Sequence, residues 1–175
     1  MLKIILIIVV ILAIALTAYI VTRPDSFSVQ RSTSIKAAPE KVFALVNDFH
    51  NWGAWSPWEK LDPELKRTYS GTAAGNGTIY EWSGNAKVGT GRMEITDSSA
   101  PSKIIIKLDF LKPFEAHNVA EFTFDVKGDT TNVNWIMHGP NQFMSKIMGL
   151  FMSMDKMIGK DFETGLANMK AAAEK

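Results

Sequence analysis

The chain contains no cysteine. Disulfide staples, thiolate catalysis and cysteine-ligated zinc sites are therefore excluded. It also lacks a basic block. Setting aside Lys3 and Arg23 leaves 17 of the 19 basic residues against 18 acidic ones, so residues 24–175 are close to neutral. A nucleic-acid-binding surface needs a basic face, and no nucleic-acid partner is expected. Histidine is scarce. His50, His117 and His138 have no ligand spacing and sit in no recognisable carboxylate-paired motif, so neither a metal site nor a cofactor is expected.

The fourth shortage is local. Ile4 to Val21 carries no charge, and only Thr17 and Tyr19 are polar. At about 1.5 Å per residue this run reaches roughly 27 Å, enough to cross a hydrocarbon core. Arg23 and Pro24 close it, and Pro24 resists helix continuation. Residues 1–23 are thus read as a membrane anchor and residues 24–175 as one soluble domain with a core of its own. A cleaved signal peptide is the rival reading, with small-residue sites at Ala13-Ile14-Ala15 and Ala15-Leu16-Thr17-Ala18. The apolar run continues past both, which favours the anchor. A three-residue tail ahead of the anchor normally stays in the cytoplasm. The domain is then expected on the far side, in a periplasm-like space.

What is present is alternation. Phe27 to Lys36 alternates as a half-exposed strand. Ala37-Ala38-Pro39-Glu40 opens a short helix with proline at its first position and Val42, Phe43 and Val46 on its buried side. Six further strands are expected at Leu65–Tyr69, Thr78–Trp82, Lys87–Thr96, Lys103–Phe110, Asn118–Val126 and Thr131–His138, separated by glycine, asparagine and proline turns. This spacing implies an antiparallel meander rather than βαβ units. After Gly139-Pro140 the chain reads as one long helix to about Ala173. The fold class is therefore α+β, a curved antiparallel sheet of about seven strands wrapped on a long C-terminal helix and preceded by a transmembrane helix.

Several segments together resemble the polyketide cyclase/dehydrase-like branch of the START-like (SRPBCC, helix-grip) superfamily. They are Ile35-Lys36-Ala37-Ala38-Pro39-Glu40-Lys41-Val42-Phe43, Trp52-Gly53-Ala54-Trp55-Ser56-Pro57-Trp58, Gly84-Asn85, Val88-Gly89-Thr90-Gly91, and Ile158-Gly159-Lys160-Asp161-Phe162-Glu163-Thr164-Gly165-Leu166. The resemblance spans about residues 27–172. It implies a deep apolar cavity between sheet and helix. It does not imply one reaction, since the superfamily includes lipid carriers, receptors and cyclases.

Strand parity names the residues that face the helix. Tyr80 and Trp82 share a face, as do Met93 and Ile95. So do Ile104, Ile106, Leu108 and Phe110; Ala120, Phe122 and Phe124; and Val133, Trp135 and Met137. The alternates are mostly polar. An inward face this apolar suits binding better than proton transfer, and no catalytic residue is assigned. On the last helix, Met144, Met148, Phe151, Asp155, Ile158, Phe162, Gly165 and Met169 recur at steps of three and four as one sheet-facing stripe. Its methionines suit either an adaptable pocket or ordinary gap-filling. Asp155 interrupts the stripe, and is expected either to pair with Arg92 or His117, to anchor a ligand's polar head, or to be solvated. The three tryptophans of residues 52–58 either gate the cavity mouth or cap the core. Gly89-Thr90-Gly91 is read as a bend or bulge rather than a phosphate loop.

The candidate ligand-binding residues are therefore Trp52, Trp55, Tyr80, Trp82, Met93, Phe110, Phe122, Trp135, Met148, Phe151 and Asp155. The leading expectation is membrane-tethered binding of a lipid or other hydrophobic small molecule. The alternatives are a cyclase- or dehydratase-type enzyme acting on an apolar substrate, and a protein-interaction module at the membrane.

Overall fold

The computed structural model describes residues 1–141, 143–150 and 152–175, without the side chains of Phe143, Met144 and Met148. The uncharged run forms α1 (Leu2–Val21), which is long and apolar enough to cross a membrane. All of its side chains are exposed except Ile20, which is buried where α1 meets α3 (Phe143–Met148).

The remaining elements are β1 (Ser26–Ile35), α2 (Pro39–Asn47), two 3₁₀ turns (Phe49–Ala54 and Pro57–Lys60), β2 (Lys66–Gly71), β3 (Thr78–Ser83), β4 (Thr90–Ser99), β5 (Lys103–Lys112), β6 (Ala116–Lys127), β7 (Thr130–Pro140) and α4 (Met154–Ala173). The strands form one antiparallel sheet in the order β1-β7-β6-β5-β4-β3-β2. The meander runs from β2 to β7, and β1 closes it by pairing along its whole length with β7. Register shifts at Thr90/Gly91 and Ile95/Asp97 break the β4–β5 ladder. Such bulges sharpen twist and bend a sheet around whatever covers it. The first lies in the Gly89-Thr90-Gly91 segment. A side chain at Gly91 would collide with the Trp82 ring and the Asp109 carbonyl, so glycine is required there by close approach.

Two expectations about the elements are corrected. β4 starts at Thr90 rather than Lys87, because residues 84–89 are used to turn between strands, with Gly89 at φ 65°. The single C-terminal helix is instead two. α3 ends at Met148, the chain turns at Gly149, and α4 begins after Ser153, whose hydroxyl accepts a hydrogen bond from the Lys156 amide at 3.3 Å. Glycine is a poor helix former, and serine gains more as a cap than inside a helix. The break resets the helical phase, so the stripe drawn through Met144, Met148, Phe151 and Asp155 is not continuous with the one in α4.

α4 runs alongside β1 and lays Phe162, Leu166 and Met169 against the sheet. The inward strand residues read from parity are buried, apart from the partly exposed Phe110. Val42, Phe43 and Val46 of α2 close one end of this core, with Phe43 edge-on to Phe124 at 5.4 Å.

Candidate functional site

A cavity of about 210 Å³ lies between the sheet and the first half of α4. Tyr80, Trp82, Met93, Leu108, Phe110, Ala120, Trp135 and Met137 form its sheet wall, and Ile158 and Phe162 its helix wall. The 3₁₀ turns contribute Trp52, Ser56, Trp58 and Glu59, while Leu65, Lys87 and Val88 complete the lining. A cavity of about 150 Å³ lined by apolar groups takes up benzene, so this one is on the scale of a fused two-ring body.

Aromatic packing holds the walls. Trp135 stacks on Phe162 at 3.9 Å and on Phe122 at 5.0 Å, with Trp58 edge-on to it at 5.8 Å. A Cβ at Gly165 would press on the Trp135 ring at 3.0 Å, so the small residue lets helix and indole approach. Trp52 and Trp55 are fixed by indole N–H donation to the carbonyls of Val46 and Leu45, at 3.1 and 2.8 Å.

Of the two charged residues on the lining, Lys87 is exposed, whereas Glu59 is set into the wall, where strand parity does not reveal it. Glu59 has a side chain only 9% exposed and accepts from the Tyr80 hydroxyl at 2.6 Å and from Arg67 Nε at 2.7 Å. Arg67 also donates to the backbone carbonyls of Glu59 and Leu65, which locks the arrangement. Burial, and then the bond to Glu59, push the Tyr80 phenol well above its usual range. Tyr80 is therefore a donor, not a base. Trp135 Nε1 is buried with no hydrogen-bond partner among the described residues. Glu59 escaped notice because a 3₁₀ turn has no two- or four-residue period to reveal an inward side chain. In the sequence Glu59 shows only as an acid eight residues ahead of Arg67, a spacing with no strand or helix period.

The candidates sort as follows. Trp52, Tyr80, Trp82, Met93, Phe110 and Trp135 line the cavity. Trp55 and Phe122 do not; they are core, with Phe122 edge-on to Trp52 and Trp55 edge-on to Trp135. Met148 and Phe151 lie outside the described side chains. Asp155 is corrected. It pairs with Arg31 at 2.7 Å, its side chain is 54% exposed, and it lies outside the cavity. In the first turn of α4 it complements the helix dipole, and the Arg31 guanidinium, also held by Glu163, keeps its carboxyl below the usual range. Its imagined partners are elsewhere on the outer face, where Arg92 meets Glu94 and His117 meets Asp109.

A seven-stranded sheet gripping a C-terminal helix around an apolar cavity defines the helix-grip class of small-molecule-binding folds. The chain belongs to the family described as polyketide cyclase / dehydrase and lipid transport, whose model matches residues 26–174. No curated protein matches it. Among solved structures, the chain is similar to the di-domain ARO/CYC BexL from the BE-7585A biosynthetic pathway, with 16% identity and a TM-score of 0.63 over 90% of this chain and 53% of that one. The chain thus spans about half of BexL. It is also similar to Aha1 from Colwellia psychrerythraea, with 14% identity and a TM-score of 0.58 over 85% and 96% of the two chains. Protein CV1439 from Chromobacterium violaceum has 13% identity and a TM-score of 0.57 over 87% and 99%. At these identities the likeness is one of fold.

Proposed function

We propose that the protein binds a hydrophobic small molecule beside a membrane to which α1 anchors it. The observation that carries this reading is the cavity itself, walled mostly by aromatic and aliphatic side chains, with Glu59 and Tyr80 as a hydrogen-bonded polar station that Arg67 pairs with from outside the lining. The apolar walls favour burial of a ring system or chain at about 25 cal/mol per Å² of apolar surface. Glu59 offers remaining carboxylate lone pairs, and the free Trp135 N–H offers a donor. A hydroxyl satisfies either group, so the occupant is read as an apolar body carrying a hydroxyl or similar neutral polar end. Arg67 offsets the charge of Glu59, which disfavours a strongly charged occupant.

The test is native mass spectrometry on the full chain before and after organic extraction. A discrete mass removed by extraction supports a bound apolar molecule. A clean apo mass, together with no quenching of the wall tryptophans by 2-naphthol, would sink the reading. An enzyme of the cyclase or dehydratase kind is the second reading, favoured by one observation: Glu59 is a carboxylate within reach of a cavity occupant. Conversion of the extracted molecule on incubation with the protein, lost in Glu59→Gln, distinguishes it from simple binding.

A further inference from the structure

The sheet places β1's start, β7's end and the turns 84–89 and 113–115 at one end of the domain. That is where α1 enters. Residues 22–25 join α1 to β1, and at full extension four residues reach about 14 Å. The connection is also pinned. Asn141 donates to the carbonyls of Asp25 and Pro24, and Lys146 pairs with Asp25. The polar interfacial layer beside the hydrocarbon is itself roughly 5–8 Å deep. If α1 spans a bilayer, this end of the domain has no room to stand clear of it.

The exposed apolar residues follow the same division. Leu61, Leu111, Phe114, Met152 and Met157 are at this end, just before α4 or in its first turn, whereas Tyr69 lies within β2 and Val126 at the other end. Phe114 is 60% exposed and Leu111 51%, both on the β5–β6 hairpin beside Lys112. The cavity residues Leu65, Lys87, Val88 and Phe110 belong to this end as well.

We propose that the β5–β6 tip, with Leu111 and Phe114 leading, rests in the headgroup layer of the bilayer that α1 crosses, so that the cavity end faces lipid. This rests on the anchor reading of α1. Two apolar side chains beside a lysine suit an interfacial contact, which burial of a little apolar area already favours when a spanning helix holds the domain in place.

The chain has no native cysteine, so single labelling sites are available. Full-length Glu115→Cys, Asp129→Cys and Ile11→Cys variants, each carrying the fluorophore NBD, are reconstituted into phosphatidylcholine vesicles containing a minority of phosphatidylglycerol. Nitroxide-bearing lipids then quench whichever labels touch the bilayer. The expected result is several-fold stronger headgroup-level quenching at position 115 than at position 129 on the opposite hairpin. Leu111→Ser/Phe114→Ser in the Glu115→Cys background should reduce it towards the level of position 129. Equal, weak quenching at 115 and 129, with strong mid-chain quenching at 11, would overturn the docking and leave the anchor standing. Absence of quenching at 11 would remove the anchor and the docking with it. A blue-shifted but unquenched label at 115 would assign the tip to a protein contact and refute the lipid.

Discussion

The two ends of the sheet–helix sandwich are built from the same alternating strands, yet one is filled and the other is hollow. At the filled end Val42, Val46, Ile104, Val133 and Met169 are all completely buried, and α2 lies across the sheet with Phe43 against Phe124. At the hollow end, Tyr80, Trp82, Met93, Leu108 and Ile158 surround the cavity, and among the described residues no side chain of α2 or α3 lines it. Both inner faces are apolar, largely aliphatic at the filled end and largely aromatic at the hollow one. What differs is whether another element supplies atoms to pack against them. The cavity is thus a place where packing stops, beside the polar groups of Glu59 and Tyr80.

Trp135 stands at the boundary between the two ends, between Phe122 and Phe162. Trp135→Ala removes an indole that stacks on both Phe122 and Phe162, and should destabilise the protein by about 3–5 kcal/mol. Denaturant titration giving a loss below about 1 kcal/mol would refute its role as the joint between helix and sheet. A methionine pair then measures the contrast directly. Met169→Ala, at the filled end, should cost about 3–5 kcal/mol, while Met93→Ala, on the cavity wall, should cost about 1–2 kcal/mol because one side already lacks partner atoms. Equal costs would mean that the hollow end is filled in solution.

Ala120→Leu goes the other way, adding atoms into the cavity. It should cost less than the roughly 1–3 kcal/mol of overpacking a closed core, and should abolish quenching of tryptophan fluorescence by 2-naphthol. Glu59→Gln keeps the shape and removes the charge. Its expected signature is a lost preference for 2-naphthol over naphthalene with little change in uptake of the hydrocarbon; an unchanged preference would deny Glu59 a role in recognition. Asp155→Asn, at an exposed ion pair outside the cavity, should alter neither.

The smallest effect concerns the outer face. His117 is held above its usual range by its bond to Asp109, and then by Glu115. Asp109 is held below its own: burial opposes ionisation, but the bonds from His117 and Lys107 outweigh it. A raised histidine contributes stability below its unfolded value of about 6.5 and loses it as pH rises through the folded value. A lowered carboxyl contributes above about 3.9 and loses it as pH falls through the folded value. The pair should therefore stabilise most between about pH 4 and 6.5. The stability gap between the protein and His117→Gln should shrink towards alkaline pH, and a gap constant across that range would show that the charge is immaterial. Ligand uptake should not follow this titration, because the pair lies outside the cavity lining.

Much of this protein was legible from its residues. A strand has a period of two, so Met93, Ile106, Phe122 and Trp135 declare a common inner face without any knowledge of partners. The uncharged run of residues 4–21 and the Pro39 helix start are equally local signals. Three things were not legible, for one reason. The break between α3 and α4, the choice of Arg31 as the partner of Asp155 and the inward turn of Glu59 to Tyr80 each depend on a contact between segments distant in the chain or on a phase that a short irregular turn resets. Pattern reading assumes that phase persists. Hydrophobicity and strand alternation are properties of the chain, and they already say which side chains must leave water. Which of them meet one another and which meet empty space depends on where α2, the 3₁₀ turns and α4 come to rest in the folded molecule.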